Sequence, residues 1–228
     1  MSEQFTWVAA YKEIAERLRT YRTKQQELLG LISTLKSGGV QVISTEDQDD
    51  SGKTIPLDEI DPFTFFGNFN RGIKTSTRIE IIRFIVENWK LTCSVPTDFT
   101  GVPVVNNQQS WFIRYKANRG SGDVPLLWDL FEQALNKQIE PDTFNKAVRL
   151  KYVKFNLTMG LFWIAPETYL NLDSVNRKYL ATNGITIEEM PDHAKYVEYM
   201  NKTRDVLTRI SVSDLRQLRS GRLIYSTG

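Results

Sequence analysis

The sequence predicts a mainly α fold with small, irregular β content (α+β at most), and three observations predict it. Apolar residues recur at three- and four-residue steps through most of the first 37 positions. Further amphipathic runs with helix-start and helix-stop residues fill the second half of the chain. Between them lies a centre dense in Gly, Pro and Asn that leaves room only for short strands. The expected architecture is a long amino-terminal amphipathic helix, a loop-rich centre and a carboxy-terminal helical part. Its two parts, 1–137 and 138–228, are expected to pack as one unit.

Trp7, Tyr11, Ile14, Leu18, Tyr21, Leu28, Ile32 and Leu35 follow steps of four and three, with Gln25 filling the one gap. Residues 5–37 therefore read as one long helix or two in line, ended by Gly38-Gly39. Such a seam suits dimerisation, or packing along the helix's own domain. Residues 40–44 suit a short strand. Residues 44–61, with Glu46, Asp47, Asp49, Asp50, Asp58, Glu59 and Asp61 against Lys53 alone, read as a disordered acidic linker. Ile79, Ile82, Val86 and Trp89 predict a helix over 77–91, and the loop to Gly122 allows a short strand at 110–116. Leu127, Leu130, Phe131 and Leu135 predict a buried face on a helix over 124–135, and Pro141 starts another at its first turn. Helices are expected over 157–164, over 173–182 with a stop at Asn183-Gly184, over 191–210, and from Ser213 onward.

Composition narrows the function. A chain of 228 residues, 41% apolar and 25% charged, has enough apolar content to bury a core. The polar opening MSEQ and the lack of an apolar run near about 18 residues argue against a signal peptide or a membrane span, so a cytoplasmic location is expected. One cysteine, Cys93, and one histidine, His193, exclude an internal disulfide and the usual zinc sites, and no cofactor or metal is expected. A net charge of +2 implies nothing about partners by itself, but the distribution does. Arg114, Lys116 and Arg119 form one basic stretch and Lys146, Arg149, Lys151 and Lys154 a second, while Arg204, Arg209, Arg216, Arg219 and Arg222 add a third. Each alone reads as a solvated face; together they favour a basic surface.

Residues 61–111 hold most of the chemistry. They read DPFTFFGNFNRGI, then a helix, then VPTDFTGVPVVNNQQSW, mixing aromatics, amides, glycines and prolines. Aromatic faces stack on bases and amides pair with base edges, so the mixture suits an unstacked nucleotide. The candidate base pocket is Phe65, Phe66, Asn68, Asn70, Trp111 and Tyr115, against the plainer alternative that each aromatic is core. The candidate phosphate contacts are Arg71, Lys74, Arg114, Lys116, Arg119, Lys151, Lys154 and Arg177. Trp7, Trp89, Trp128 and Trp163 fall on apolar helical faces and read as core. Asp47 to Thr54 ends like a nucleotide-binding P-loop, but Asp47 replaces the first glycine and the aspartates would repel phosphate.

PFTFFGNFNRGI, VPTDFTGVPVVNN, WDLFEQAL and LTMGLFWI, within roughly residues 5–210, resemble the amino-terminal region of McrB-like AAA+ GTPases of modification-dependent (type IV) restriction systems. The resemblance implies a DNA-binding specificity domain that senses a modified base in double-stranded DNA in defence against phage. It also implies a GTPase motor beyond Gly228 and a partner nuclease, and no catalytic residue in this chain. Leu150 to Leu180 is similar, in degenerate form, to the hairpin and following helix of helix-hairpin-helix DNA glycosylases. Asp173 falls near that family's catalytic aspartate, Tyr152 and Lys154 replace the hairpin glycines, and Asn156 stands where bifunctional members carry lysine. Asp173 reads better as a helix N-cap with Leu172 as its staple. The rival functions are a base-excision enzyme centred on Asp173 and a protein-interaction or dimerisation module.

Overall fold

The amino-terminal stripe folds as two helices, α1 (Trp7–Leu18) and α2 (Gln25–Ser37), joined by a short 3-10 turn at Arg19–Tyr21 and a non-helical Lys24. The computed structural model describes residues 5–107 and 110–209; the expected helix from Ser213, the side chains of Arg209, Arg216, Arg219 and Arg222, and Gln108-Gln109 lie outside what is described. All eight stripe residues are buried in the chain's own core, so this seam is not free to dimerise. The turn aims Tyr21 inward, where it stacks on Trp89 with ring centroids 5.0 Å apart.

The protein is mainly helical, as expected, with 53% helix and a small two-stranded sheet. After α2 come strands β1 (Glu46–Gln48) and β2 (Thr54–Pro56), paired antiparallel with Asp47 opposite Ile55. The acidic stretch is thus an ordered hairpin rather than a disordered linker. Asp49 Oδ1 accepts from the Ser51 and Lys53 amides and from the Ser51 hydroxyl, and Gly52 takes φ 77° to close the turn. The P-loop look-alike is therefore a hairpin turn followed by a strand. The expected strands at 40–44 and 110–116 do not form.

Helix α3 (Pro62–Gly67) begins with Pro at its first position, and Asp61 Oδ1 accepts from the Phe63 and Thr64 amides. Every residue from Asp61 to Asn70 is buried. Then follow α4 (Thr75–Trp89), the long loop, α5 (Asp123–Leu135), α6 (Pro141–Ala147), α7 (Asn156–Ile164), α8 (Ser174–Thr182) and α9 (His193–Arg209). α3 is the hub: Phe63 meets Phe112 and Phe131, Phe65 stacks on Trp89, and Phe66 meets Tyr11. Gly160 of α7 lets the Phe63 ring approach so closely that a Cβ there would lie 2.6 Å from it.

The loop after α4 is tied down rather than free. Asp98 accepts from the Phe5 and Thr6 amides at the start of α1, and Glu13 accepts from the Thr92 and Cys93 amides. The Val105 amide donates to Asn70 O, the Phe112 amide to Thr64 Oγ1, and Trp163 Nε1 to Pro103 O. Tyr169 Oη donates to Ala134 O, so the expected 137/138 junction runs through one contiguous core. Trp7, Trp89, Trp128 and Trp163 are all buried.

Candidate nucleic-acid interface

Burial removes most of the sequence's base-pocket candidates. Phe65 and Phe66 pack in the α3 hub, where apolar contact stabilises them far more than exposure would. Asn68 is buried, its Oδ1 accepting from the Ile43 amide and its Nδ2 donating to Phe65 O. Asn70 is buried too, and its Oδ1 accepts from the Tyr11 hydroxyl at 2.6 Å. These four residues hold the fold and are not reachable by a base.

Several expected phosphate contacts are also turned inward. Arg71 is buried and donates to Gln41 O at 3.0 Å. The Arg119 side chain is only 2% exposed, gripping Asp47 at 2.6 Å and Glu59 at 2.8 Å. Burial alone would raise the Asp47 carboxyl; hydrogen bonds from Arg119, the Lys116 amide and the Gln48 amide reverse this and hold it below the usual carboxylate range. Lys116 pairs with Asp58. Asp47 of the hairpin and Asp58 and Glu59 just after it thus pair with two of the three cations in 114–119, a pairing invisible in stretch-by-stretch counting. Arg177 lies 4.0 Å over the Phe155 ring and donates weakly to Ile187 O.

The remaining candidates converge, apart from Lys74, which is exposed at the start of α4 and has no hydrogen bond or ion pair to them among the described residues. Trp111 and Tyr115 line a cavity of about 370 Å³, together with Ile113, Arg114 and, from the α6–α7 turn, Tyr152. Ser44, Glu46, Asp47 and Asn118 supply its polar wall. This volume lies within the roughly 300–1,000 Å³ of small-ligand sites. Tyr115 and Tyr152 are 53% and 46% exposed, the largest exposed aromatics among the described residues. Trp111, Tyr115 and Tyr152 make no ring-to-ring contact among those residues, unlike most of the buried aromatics.

Cations border the opening. Arg114 lies 5.8 Å from the Tyr152 ring centroid, and Lys151 Nζ the same distance from it. Lys154, exposed in the same turn, adopts φ 35°, the left-handed conformation that favours glycine. Arg114, Lys151 and Lys154 enter no ion pair among the described residues.

Asp173 caps α8: Oδ1 accepts from the Val175 and Asn176 amides, and Oδ2 from Asn171 Nδ2. Its oxygens are committed to local structure. His193 packs on Phe144, and burial pushes the Cys93 thiol up to about 12. Sequence reasoning missed Tyr152, Glu46, Ser44 and Asn118 as cavity residues. Tyr152 had a signal, an aromatic set among Lys151 and Lys154; Glu46 was hidden in the acidic run.

No helix of the described residues is long and apolar enough to cross a membrane. No curated protein and no solved structure matches the chain. A family model matches residues 7–220, and the chain belongs to that family, a domain of unknown function (DUF8425).

Proposed function

We propose that this chain is a DNA-binding specificity domain that grips double-stranded DNA through Arg114, Lys151 and Lys154 and tests one extruded base, a modified one, in the cavity of Trp111, Tyr115 and Tyr152. The observation that carries this reading is an open cavity walled by three aromatic rings that stack on no other ring among the described residues, bordered by cations that enter no ion pair among them. A base outside the helix needs a π-face to replace its lost stacking, and phosphates need cations that are not already neutralised. In this reading the domain binds without a cofactor and acts in the cytoplasm. It delivers its choice of site to a GTPase motor and nuclease of a restriction system.

Fluorescence anisotropy with duplexes that carry methylated, hydroxymethylated or unmodified bases, over a range of salt, tests it. The expected result is tighter binding to at least one modified duplex. Replacing Arg114, Lys151 and Lys154 together by Ala should weaken all duplexes alike and flatten the salt slope by roughly one for each cation that meets a phosphate. An unchanged slope would remove these three residues from the DNA face.

A further inference from the structure

Of the acidic side chains on the cavity wall, one is spoken for and one is not. Asp47 is locked by Arg119 and by two backbone amides. Glu46 is exposed, lines the same cavity and enters no ion pair among the described residues, although Arg114 lines it too. Register explains the difference. Successive residues of β1 point to opposite faces, so Asp47 turns into the protein and Glu46 outward. The Glu46 amide donates to Ser44 Oγ, which holds that hydroxyl at the cavity's edge.

An ionised carboxylate accepts hydrogen bonds and donates none. In a cleft meant for DNA a free negative charge also costs affinity, because it faces a polyanion. Its presence there is accounted for if it meets a donor on the ligand. We propose that Glu46 is a specificity-determining residue that accepts from the exocyclic amino group of the extruded base, so that the cavity selects amino-bearing bases (cytosine, adenine, guanine) and rejects thymine. Thymine offers a single N–H between two carbonyl oxygens, and both oxygens would face the carboxylate. Acidic side chains accepting from the cytosine amino group are an established form of base readout. The inference rests on the proposed base-binding role of the cavity and names the ligand class it takes.

The test uses four duplexes, each with cytosine, adenine, guanine or thymine opposite an abasic site, where extrusion is easy. Their affinities are measured for the wild type, Glu46→Gln and Trp111→Ala. Wild type should favour the amino-bearing bases over thymine by roughly tenfold. Glu46→Gln should shrink that ratio to about twofold or less, because an amide serves either kind of partner equally. The ratio is the readout, since removing a negative charge strengthens binding to every duplex. An unchanged unfolding midpoint is expected, Glu46 being exposed, and separates loss of readout from loss of fold. Two results overturn the proposal: no preference over thymine in the wild type, or a preference that survives in Glu46→Gln. If Trp111→Ala still weakens binding in either case, the cavity's base-binding role stands and only the Glu46 role falls. If Trp111→Ala binds every duplex as the wild type does, the base-binding role falls with it.

Discussion

Replacing Arg119 by Ala removes a guanidinium whose side chain is 2% exposed and strands the Asp47 carboxylate, 1% exposed, beneath it. Breaking a buried pair on one side generally costs about 3–5 kcal/mol, mostly for the charge left behind. Here the low end applies. Asp47 keeps the Lys116 and Gln48 amides, each at 2.8 Å, while Glu59 and Asp58 are partly exposed and return to water. The expected loss is about 3 kcal/mol, or a fall of about 1.5 M in the urea midpoint at a slope of roughly 2 kcal/mol per M. Urea unfolding followed by circular dichroism at pH 7 measures it, with Arg119→Ala/Asp47→Ala as the companion that should recover part of the loss. The Asp47 carboxyl titrates below its unfolded value. The pair's stabilisation is therefore fully present above about pH 4 and lost as pH falls further, through the lowered folded pKa. A loss under about 1 kcal/mol would refute the claim that this pair docks the hairpin. If Arg119 instead faced phosphate, the substitution would spare stability and lower the salt slope of DNA binding.

Three further substitutions probe the framework. Burial pushes Asp61 up to about 6 against the Thr64 and Phe63 hydrogen bonds that favour its charge. Stability from this group is thus fully present below about pH 4 and lost as pH rises through 6; Asp61→Asn, which keeps the cap, should gain on the wild type by up to about 3 kcal/mol above pH 7, and identical pH–stability curves would argue against it. Lys154→Gly relieves a left-handed backbone that costs roughly 1–2 kcal/mol but removes a cation, so unfolding should be unchanged or slightly harder while DNA affinity falls; a drop in both would disprove the strain argument. Gly160→Ala should gain up to about 1 kcal/mol of helix propensity yet lose about 1–3 kcal/mol of packing, because the added Cβ would lie 2.6 Å from a Phe63 ring hemmed in by Phe112 and Phe131; calorimetry should show net destabilisation.

The helices were legible because helical spacing and caps are local properties. α5 and α7 fall within a residue of their expected starts, and the Asp173 cap is as expected. The site was less legible, because reachability is a global property. Phe65, Phe66 and Trp111 are all aromatics among amides in the sequence, and only packing makes the first two a core and leaves the third on a cavity wall. The charges failed for a related reason. Residues 46–59 and 114–119 read as an acidic linker and a basic stretch, but Asp47, Asp58 and Glu59 neutralise Lys116 and Arg119 across the fold. Arg114, the one cation of 114–119 that enters no ion pair among the described residues, could be identified only after that subtraction.

The most direct test is the specificity ratio of Trp111→Ala: its affinity for the preferred modified duplex over that for the unmodified duplex, alongside its unfolding free energy. Trp111 is only partly buried on the cavity wall, so truncation should cost little stability while removing roughly 1–3 kcal/mol of binding to the modified site and leaving phosphate-driven binding in place. The ratio should therefore fall toward one. A destabilised protein whose ratio is unchanged would contradict the account and return Trp111 to the core.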